Sequence, residues 1–248
     1  MEISICIVIP FYNHGDKILE VLSALQNFEL PCFLIDDGSD ASSKLVLSSA
    51  EKKFSWVRLH RLPENLGKGG AVMAGLRLAQ ASGLTHAIQM DADGQHCAAD
   101  VPRFVKAIQQ NPQALVLGVP KFGAEVPKGR LYGRLISCFF VWLETLSFSV
   151  QDPLCGFRAY PLDSCLKLLD QHHFGRRMDF DVEIVVRFLW RGVTVISLDT
   201  PVSYFKEGVS HFHLWADNCR ISWLHTRLVF GMIFRVPILM LRLIRRGM

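Results

Sequence analysis

Short apolar runs of β-forming residues, each ending in a polar cluster, alternate with helix-length amphipathic stretches along the first half of this 248-residue chain. Residues 3–9 are apolar apart from Ser4 and rich in β-branched side chains, the signature of a strand buried on both faces, with Pro10 expected to end it. Apolar residues then fall at helical spacing over 16–28, followed by a strand at 32–35, a helix at 42–53, a strand at 56–59, a helix at 69–81 and a strand at 85–90. A helix at 100–110 and a strand at 114–117 close this half. Strands alternating with helices of this length predict βαβ units and a parallel sheet, an α/β fold.

Beyond Gly118 the rhythm changes: 120–129 reads as loop, 130–148 as a long helix, and 151–160 as turn plus strand. Helices at 162–170 and 180–191 and a strand at 193–198 follow, and 214–246 is helical in pattern. The expected division is a catalytic body over 1–213 and a basic amphipathic helical tail over 214–248. Charge supports that division. From Asn218 onward there are six arginines and no acid, whereas residues 1–217 carry 21 basic against 23 acidic side chains. A near-neutral body does not suit a nucleic-acid binder, which carries its positive charge on a folded face. Arg235 and Pro237 interrupt the apolar tail, so it reads as a helix lying in a membrane interface and not as a span; a core-packing helix with snorkelling arginines is the alternative. The seven cysteines form no C-x-x-C pair and read as buried thiols of a cytosolic protein, and the N-terminus lacks the basic region of a signal peptide.

Ligands of open α/β sheets bind beyond the carboxyl ends of the strands, where four polar clusters fall. Asp91-Ala92-Asp93 is the most informative. Two Asp at i and i+2 leave a strand end on one side, repel each other, and suit a hard divalent cation held together with substrate phosphates. A lone pair of this kind also occurs as turn and helix cap. The cluster 36–40 reads either as turn and N-cap or as a carboxylate for a base or ribose. Gly67, Lys68 and Gly69 open a helix whose N-terminus favours an anion such as a diphosphate, although the Walker spacing is absent.

Taken in order, Val8-Ile9-Pro10-Phe11-Tyr12-Asn13, Ile35-Asp36-Asp37-Gly38-Ser39-Asp40, Asn65-Leu66-Gly67-Lys68-Gly69 and Met90-Asp91-Ala92-Asp93-Gly94-Gln95-His96 resemble the family-2 glycosyltransferases of GT-A fold. The similarity is closest to the branch of dolichol-phosphate mannosyltransferases and related polyprenyl-phosphate sugar transferases, and Asp152 to Tyr160 matches its D-x-x-x-G-F-R-x-Y segment. The resemblance implies a mainly parallel sheet flanked by helices and an inverting transfer from a nucleotide-diphosphate sugar to a lipid-linked acceptor, with no nucleic-acid partner. It implies that Pro10, Tyr12, Asn13, Asp37, Gly67, Lys68, Asp91 and Ala92 line the nucleotide pocket. Asp91, Asp93, Gln95 and the late His211 would hold Mg²⁺ or Mn²⁺. Asp152 is the candidate general base, with Asp93 as second catalytic carboxylate and Asp179, Asp181 and Glu183 as alternative bases.

The chain departs from the branch at Gly118-Val119-Pro120-Lys121, where a G-S-R is common. Lys121, Arg130 and Arg134 are then the candidate cations for the acceptor, with Arg158 either contacting its phosphate or ordering the loop, unless the acceptor is a hydroxyl-bearing lipid. The implied location is the inner face of the cytoplasmic membrane. The alternatives are a nucleotidyltransferase, which lacks the basic glycine-rich loop it would need after the first strand, and a non-catalytic sugar-nucleotide-binding scaffold.

Overall fold

A computed structural model describes residues 2–15, 17–123, 126, 128–203 and 214–247. The elements run β1 (Ile5–Phe11), α1 (Lys17–Leu25), β2 (Cys32–Asp36), α2 (Ala41–Lys53), β3 (Val57–Arg61), α3 (Lys68–Ala81), β4 (His86–Gln89), α4 (Val101–Gln110) and β5 (Leu115–Phe122). They continue as α5 (Lys128–Thr145), β6 (Arg158–Pro161), α6 (Leu162–Gln171), α7 (Asp179–Trp190), β7 (Val195–Val202), α8 (Leu214–Ile233) and α9 (Val236–Gly247). Seven strands form one sheet in the order β3-β2-β1-β4-β6-β5-β7, parallel except for β6, which runs against both neighbours.

Period-two alternation sends consecutive strand residues to opposite layers. Val8 joins Ile35, Val72, Leu76, Phe180, Val185 and Leu224 on one face. Ile7 and Ile9 join Leu22, Leu34, Leu47, Phe104 and Phe157 on the other. Both faces are buried, which is why these strands read as unbroken apolar runs.

β1 and β5 run further than expected, each through a proline. Pro10 does not end β1: it pairs with Ile35 on β2, while β4 has stopped at the partner of Val8. With one neighbour gone, a residue lacking an N–H is tolerated inside the strand. β5 likewise runs through Pro120 to Phe122 alongside β7, because its last residues have only that one strand to satisfy.

Among the described residues, α8 shares the core of the body. Leu224 and Leu228 of α8 belong to the same apolar cluster as Val141 of α5 and Phe188 of α7.

Candidate active site

The loops after β1, β2 and β4 and the turn ahead of α3 converge on one cleft of about 1570 Å³. That exceeds the few hundred to about 1,000 Å³ of a typical single-ligand site, leaving room for two substrates. At its sheet end lie Pro10, Tyr12, Asp37, Gly67, Lys68, Asp91, Ala92, Asp93 and Gln95. A second arm runs between α5 and α8, past Ser137 and Phe140 on one side and Ile221, His225 and Val229 on the other.

Asp91 is the electrostatic hub. The Lys68 ammonium stands 2.9 Å from its Oδ1 and 3.0 Å from its Oδ2, and His96 Nε2 lies 3.3 Å from Oδ2. Burial works to raise this carboxyl, but Lys68 and His96 outweigh it and hold it well below the usual carboxylate range. Lys68 also reaches Asp181 Oδ2 at 3.1 Å; burial opposes its charge, while Asp181 and Asp91 keep the ammonium well above its ordinary value. Gly156 seals the other side, since a Cβ there would fall 2.3 Å from Asp91 Oδ2. Asp93 is freer: its Oδ1 accepts the Gln95 amide at 3.0 Å in a local turn, and the residue lines the cleft.

The glycines of 67–70 have another use than close approach to a ligand. A Cβ on Gly67 would lie 2.6 Å from the Arg176 carbonyl oxygen, and one on Gly69 2.5 Å from Phe180 Cβ. Gly70 N–H donates to Arg176 O at 2.9 Å. The protein's own backbone therefore occupies this helix start, and Lys68 points to carboxylates. Asp37 accepts the Leu66 and Gly67 amides at 2.6 and 2.8 Å, so it clamps that turn while lining the cleft; burial raises its carboxyl despite both bonds. Asn13, at φ 51°, accepts the Asp40 amide at 2.9 Å and ties the first two loops together, and it is not on the cleft wall. Asp40 caps α2 through the Ser43 amide.

Four expectations, for Arg158, Asp152, His211 and Arg130, need correction or fall outside the described residues. Arg158 does not meet an acceptor: it is fully buried and donates to the carbonyls of Cys155, Pro153 and Asp181, so it orders the 153–158 loop. Asp152 does not present a base to the cleft. Its Oδ2 takes Arg134 at 2.5 Å, its Oδ1 takes the Leu154 amide at 2.8 Å, and it is not among the lining residues. His211 and the Arg130 side chain lie outside the described residues. Among the alternative bases, Glu183 is buried between Arg187 and Arg227, Asp179 accepts the Arg177 amide, and Asp181 reaches the cleft already paired with Lys68. Lys121 pairs with Asp199 on the surface, whereas Arg134 does line the cleft.

Two further residues, Arg177 and His225, reach the cleft without a mark in the sequence. Arg177 lines the sheet end, where its charge acts on the Asp37 carboxyl. His225 lines the helical arm, with Nδ1 2.7 Å from Glu144 Oε1. Burial raises the Glu144 carboxyl, with His225 pulling the other way. Both sit in ordinary-looking helical or loop sequence; only packing brings them to the cleft.

A family model, Glycosyl transferase family 2, matches residues 6–170. The chain belongs to glycosyltransferase family 2. It is 28% identical over 205 residues to a dolichyl-phosphate β-glucosyltransferase of Dictyostelium discoideum, covering 74% of this chain and 62% of that protein. It is 27% identical to a UDP-N-acetylglucosamine–dolichyl-phosphate N-acetylglucosaminyltransferase of Methanococcus voltae, over 73% of this chain and 78% of the relative. An undecaprenyl-phosphate mannosyltransferase of Micrococcus luteus is 26% identical, over 81% and 83%. These relatives place the chain in the polyprenyl-phosphate sugar transferase branch of the family. Among solved structures, glucosyl-3-phosphoglycerate synthase from Mycobacterium tuberculosis, in complex with Mn²⁺, UDP-glucose and phosphoglyceric acid, superposes with a TM-score of 0.63 at 17% identity, covering 93% of this chain and 78% of that one. Mannosyl-3-phosphoglycerate synthase from Rubrobacter xylanophilus gives 0.63 at 14%, covering 95% and 75%. The fold of this family-2 enzyme is GT-A.

Proposed function

We propose that this glycosyltransferase moves a sugar from a nucleotide-diphosphate sugar to a lipid-linked acceptor, a polyprenyl phosphate or a hydroxyl-bearing lipid, at the cytoplasmic membrane face. The carrying observation is one cleft that joins an acidic end, Asp91 and Asp93 beside Lys68 and Arg177, to an arm between α5 and α8 where Phe140, Ile221, Val229 and Phe230 share the wall with polar side chains. Sugar nucleotide belongs at the first end and lipid in the second. The names of the relatives from Dictyostelium and Micrococcus support the same class of acceptor.

The donor set fits Mg²⁺ or Mn²⁺. Asp91 Oδ1 is buried without an aligned hydrogen bond, Asp93 lines the cleft, and the ligand atoms are hard oxygens. No group of three His, Cys, Asp or Glu is assembled for a metal among the described residues. Asp91, Asp93 and Gln95 would thus hold the ion together with donor phosphates, as Mg²⁺ prefers. Such an ion neutralises the charge that develops as the nucleoside diphosphate leaves. Lys68 fixes the Asp91 carboxylate, and Arg177 offers its guanidinium to the diphosphate. Transfer in a single displacement inverts the anomeric centre. The purified chain, given UDP-, GDP- and dTDP-sugars with Mn²⁺ and polyprenyl phosphate in vesicles, is expected to yield an organic-soluble glycolipid with one donor. Failure of every donor to shift thermal stability or to yield product would refute the reading.

Membrane contact is proposed to be apolar in character. None of the described helices is long and apolar enough to span. α8 and α9 bury Leu224, Leu228, Met232 and Leu239 inward, while Trp223, Phe230, Phe234 and Leu241 are exposed, as are Leu135 and Phe139 of α5. Among the described residues the tail's cations are committed elsewhere: Arg220 to Asp217, Arg227 to Glu183, Arg235 over the Trp190 ring at 4.3 Å, and Arg242 to the Trp190 carbonyl. Burying one such aromatic is worth about 1.5–3 kcal/mol. Trp223→Glu with Phe234→Glu should therefore cut vesicle co-sedimentation at least about tenfold, with little dependence on salt. Unchanged sedimentation, or binding that vanishes in high salt, would count against this face.

A further inference from the structure

The helical arm meets the donor end of the cleft at Arg134 of α5. This residue lines the arm, and it also lines a small side chamber of about 80 Å³ that it shares with Asp91, Asp93 and Gln95. Among the described residues that line the arm, it carries the one permanent positive charge. Its guanidinium is held from two sides. Nη1 donates to Asp152 Oδ2 at 2.5 Å, and Cζ lies over the Phe122 ring, 5.1 Å from the centroid. The Asp152 side chain is 8% exposed, and its Oδ1 accepts the Leu154 amide at 2.8 Å. Backbone thus fixes the acid, and the acid fixes the arginine.

An arginine offers five N–H donors in a planar fork, of which Asp152 takes one. One turn further along the same face of α5, the buried Ser137 also lines the cleft, and a Cβ on Gly133 would meet nothing within 4 Å. The space beside the guanidinium is therefore open and faced by N–H and O–H donors. Phe140, Ile221, Val229 and Phe230 take up the wall further along the arm. Such an order, cation first and apolar surface beyond, matches an anionic head on an apolar chain. An unrestrained arginine would give up rotamer freedom on binding that head, whereas one already pinned by Asp152 and Phe122 gives up less.

We propose that Asp152 is a positioning residue that holds the Arg134 guanidinium on the phosphate of a polyprenyl phosphate acceptor, with Ser137 as a second donor. The inference rests on the reading of the cleft as a glycosyl-transfer site and selects the phosphate-bearing acceptor. A phosphate monoester loses its second proton at a pH of about 6, so the attacking oxygen carries none at neutral pH. That oxygen bonds to the anomeric carbon, the bond from this carbon to the diphosphate oxygen breaks, and its electron pair departs with the nucleoside diphosphate. No proton moves, so the step needs no general base, and Asp152 acts only through Arg134.

The first measurement is binding to the full chain without donor, so it stands apart from whether sugar is transferred. Farnesyl phosphate and farnesol are compared by calorimetry below their micellar limits. The phosphate is expected to bind the unaltered protein at least about tenfold more tightly. Equal affinity overturns the proposal, and that comparison needs no variant to fold. Arginine side-chain ¹⁵N spectra of the same protein should show the Arg134 Nη signals shifting with farnesyl phosphate alone while their rotation stays slow, as in a group still held by Asp152; release into fast rotation overturns it equally. Arg134→Ala should weaken farnesyl phosphate about 10–100-fold and Asp152→Ala about tenfold, with farnesol unaffected. The double variant should bind no more weakly than Arg134→Ala alone, and Asp152→Asn, which keeps an oxygen for Nη1, should restore most of the affinity. In turnover, Asp152→Ala should raise the acceptor KM about tenfold and leave the donor KM and kcat within about twofold. A collapse of kcat at unchanged acceptor KM would make Asp152 a base, and additive losses in the double variant would give it a role apart from Arg134. Tighter binding without Asp152 would show the acid competing with the phosphate. Each of these overturns the proposal, whereas the expected binding pattern in a protein that transfers no sugar would count against the transfer reading alone.

Discussion

Asp93→Ala is expected to lower sugar transfer by about 10²–10³-fold while leaving the protein folded. The magnitude is that of removing one group which stabilises charge developing on the leaving oxygens. The selectivity comes from the surroundings of the side chain. Asp93 makes one local bond, from the Gln95 amide, and forms no salt bridge among the described residues, so its loss belongs with surface substitutions, within about 0.5 kcal/mol. Asp91→Ala should behave differently. It strips a partner from the buried Lys68 ammonium, and breaking a buried pair costs about 3–5 kcal/mol, so activity and stability should fall together. Turnover and melting temperature measured on both variants separate the two roles. An Asp93→Ala enzyme with undiminished turnover, or one whose donor affinity still rises with Mn²⁺ as that of the unaltered protein does, would remove Asp93 from the reaction.

The second large effect is on stability. Arg158 is fully buried, donates to the carbonyls of Cys155, Pro153 and Asp181, and lies 3.7 Å from Asp181 Oδ1. Arg158→Met keeps much of the volume but leaves those carbonyls, and part of the Asp181 charge, without a donor. The cost is expected to be about 3–5 kcal/mol, which for a chain of this size lowers the melting temperature by roughly 10 °C or more. Because the 153–158 loop carries Gly156 against Asp91, donor binding should weaken as well. A variant that melts within about two degrees of the unaltered protein would show the guanidinium to be dispensable. Arg158→Lys should not rescue it, since one ammonium cannot reach three carbonyls in the fork geometry.

Much of the architecture was legible because burial on both faces writes itself into composition. The runs ending at Phe11, Asp36, Arg61 and Gln89 are strands, and the polar clusters after the first, second and fourth sit together at their carboxyl ends. The antiparallel sense of β6 was not legible, because a four-residue strand carries no mark of direction. Nor were the extensions through Pro10 and Pro120, which depend on where a neighbouring strand stops.

Side-chain roles divide the same way. The order of local clusters sufficed to assign the chain to its family, since each motif is a matter of residue type and spacing along a few positions. Partners across the fold decided what each charged group can do. Arg158 and Asp152 are conspicuous in sequence but are consumed by carbonyls, by an amide and by Arg134. Arg177 and His225 are inconspicuous, yet packing sets them on the cleft wall. Arg227, Arg235 and Arg242 of the tail, whose spacing alone marks only a basic amphipathic helix, meet an acid, a ring and a carbonyl of the body. Spacing along a chain determines which elements form and where their ends point. The free energy of a charge depends on neighbours far away in sequence, such as Glu144 and His225, 81 positions apart, and only the tertiary structure could decide that.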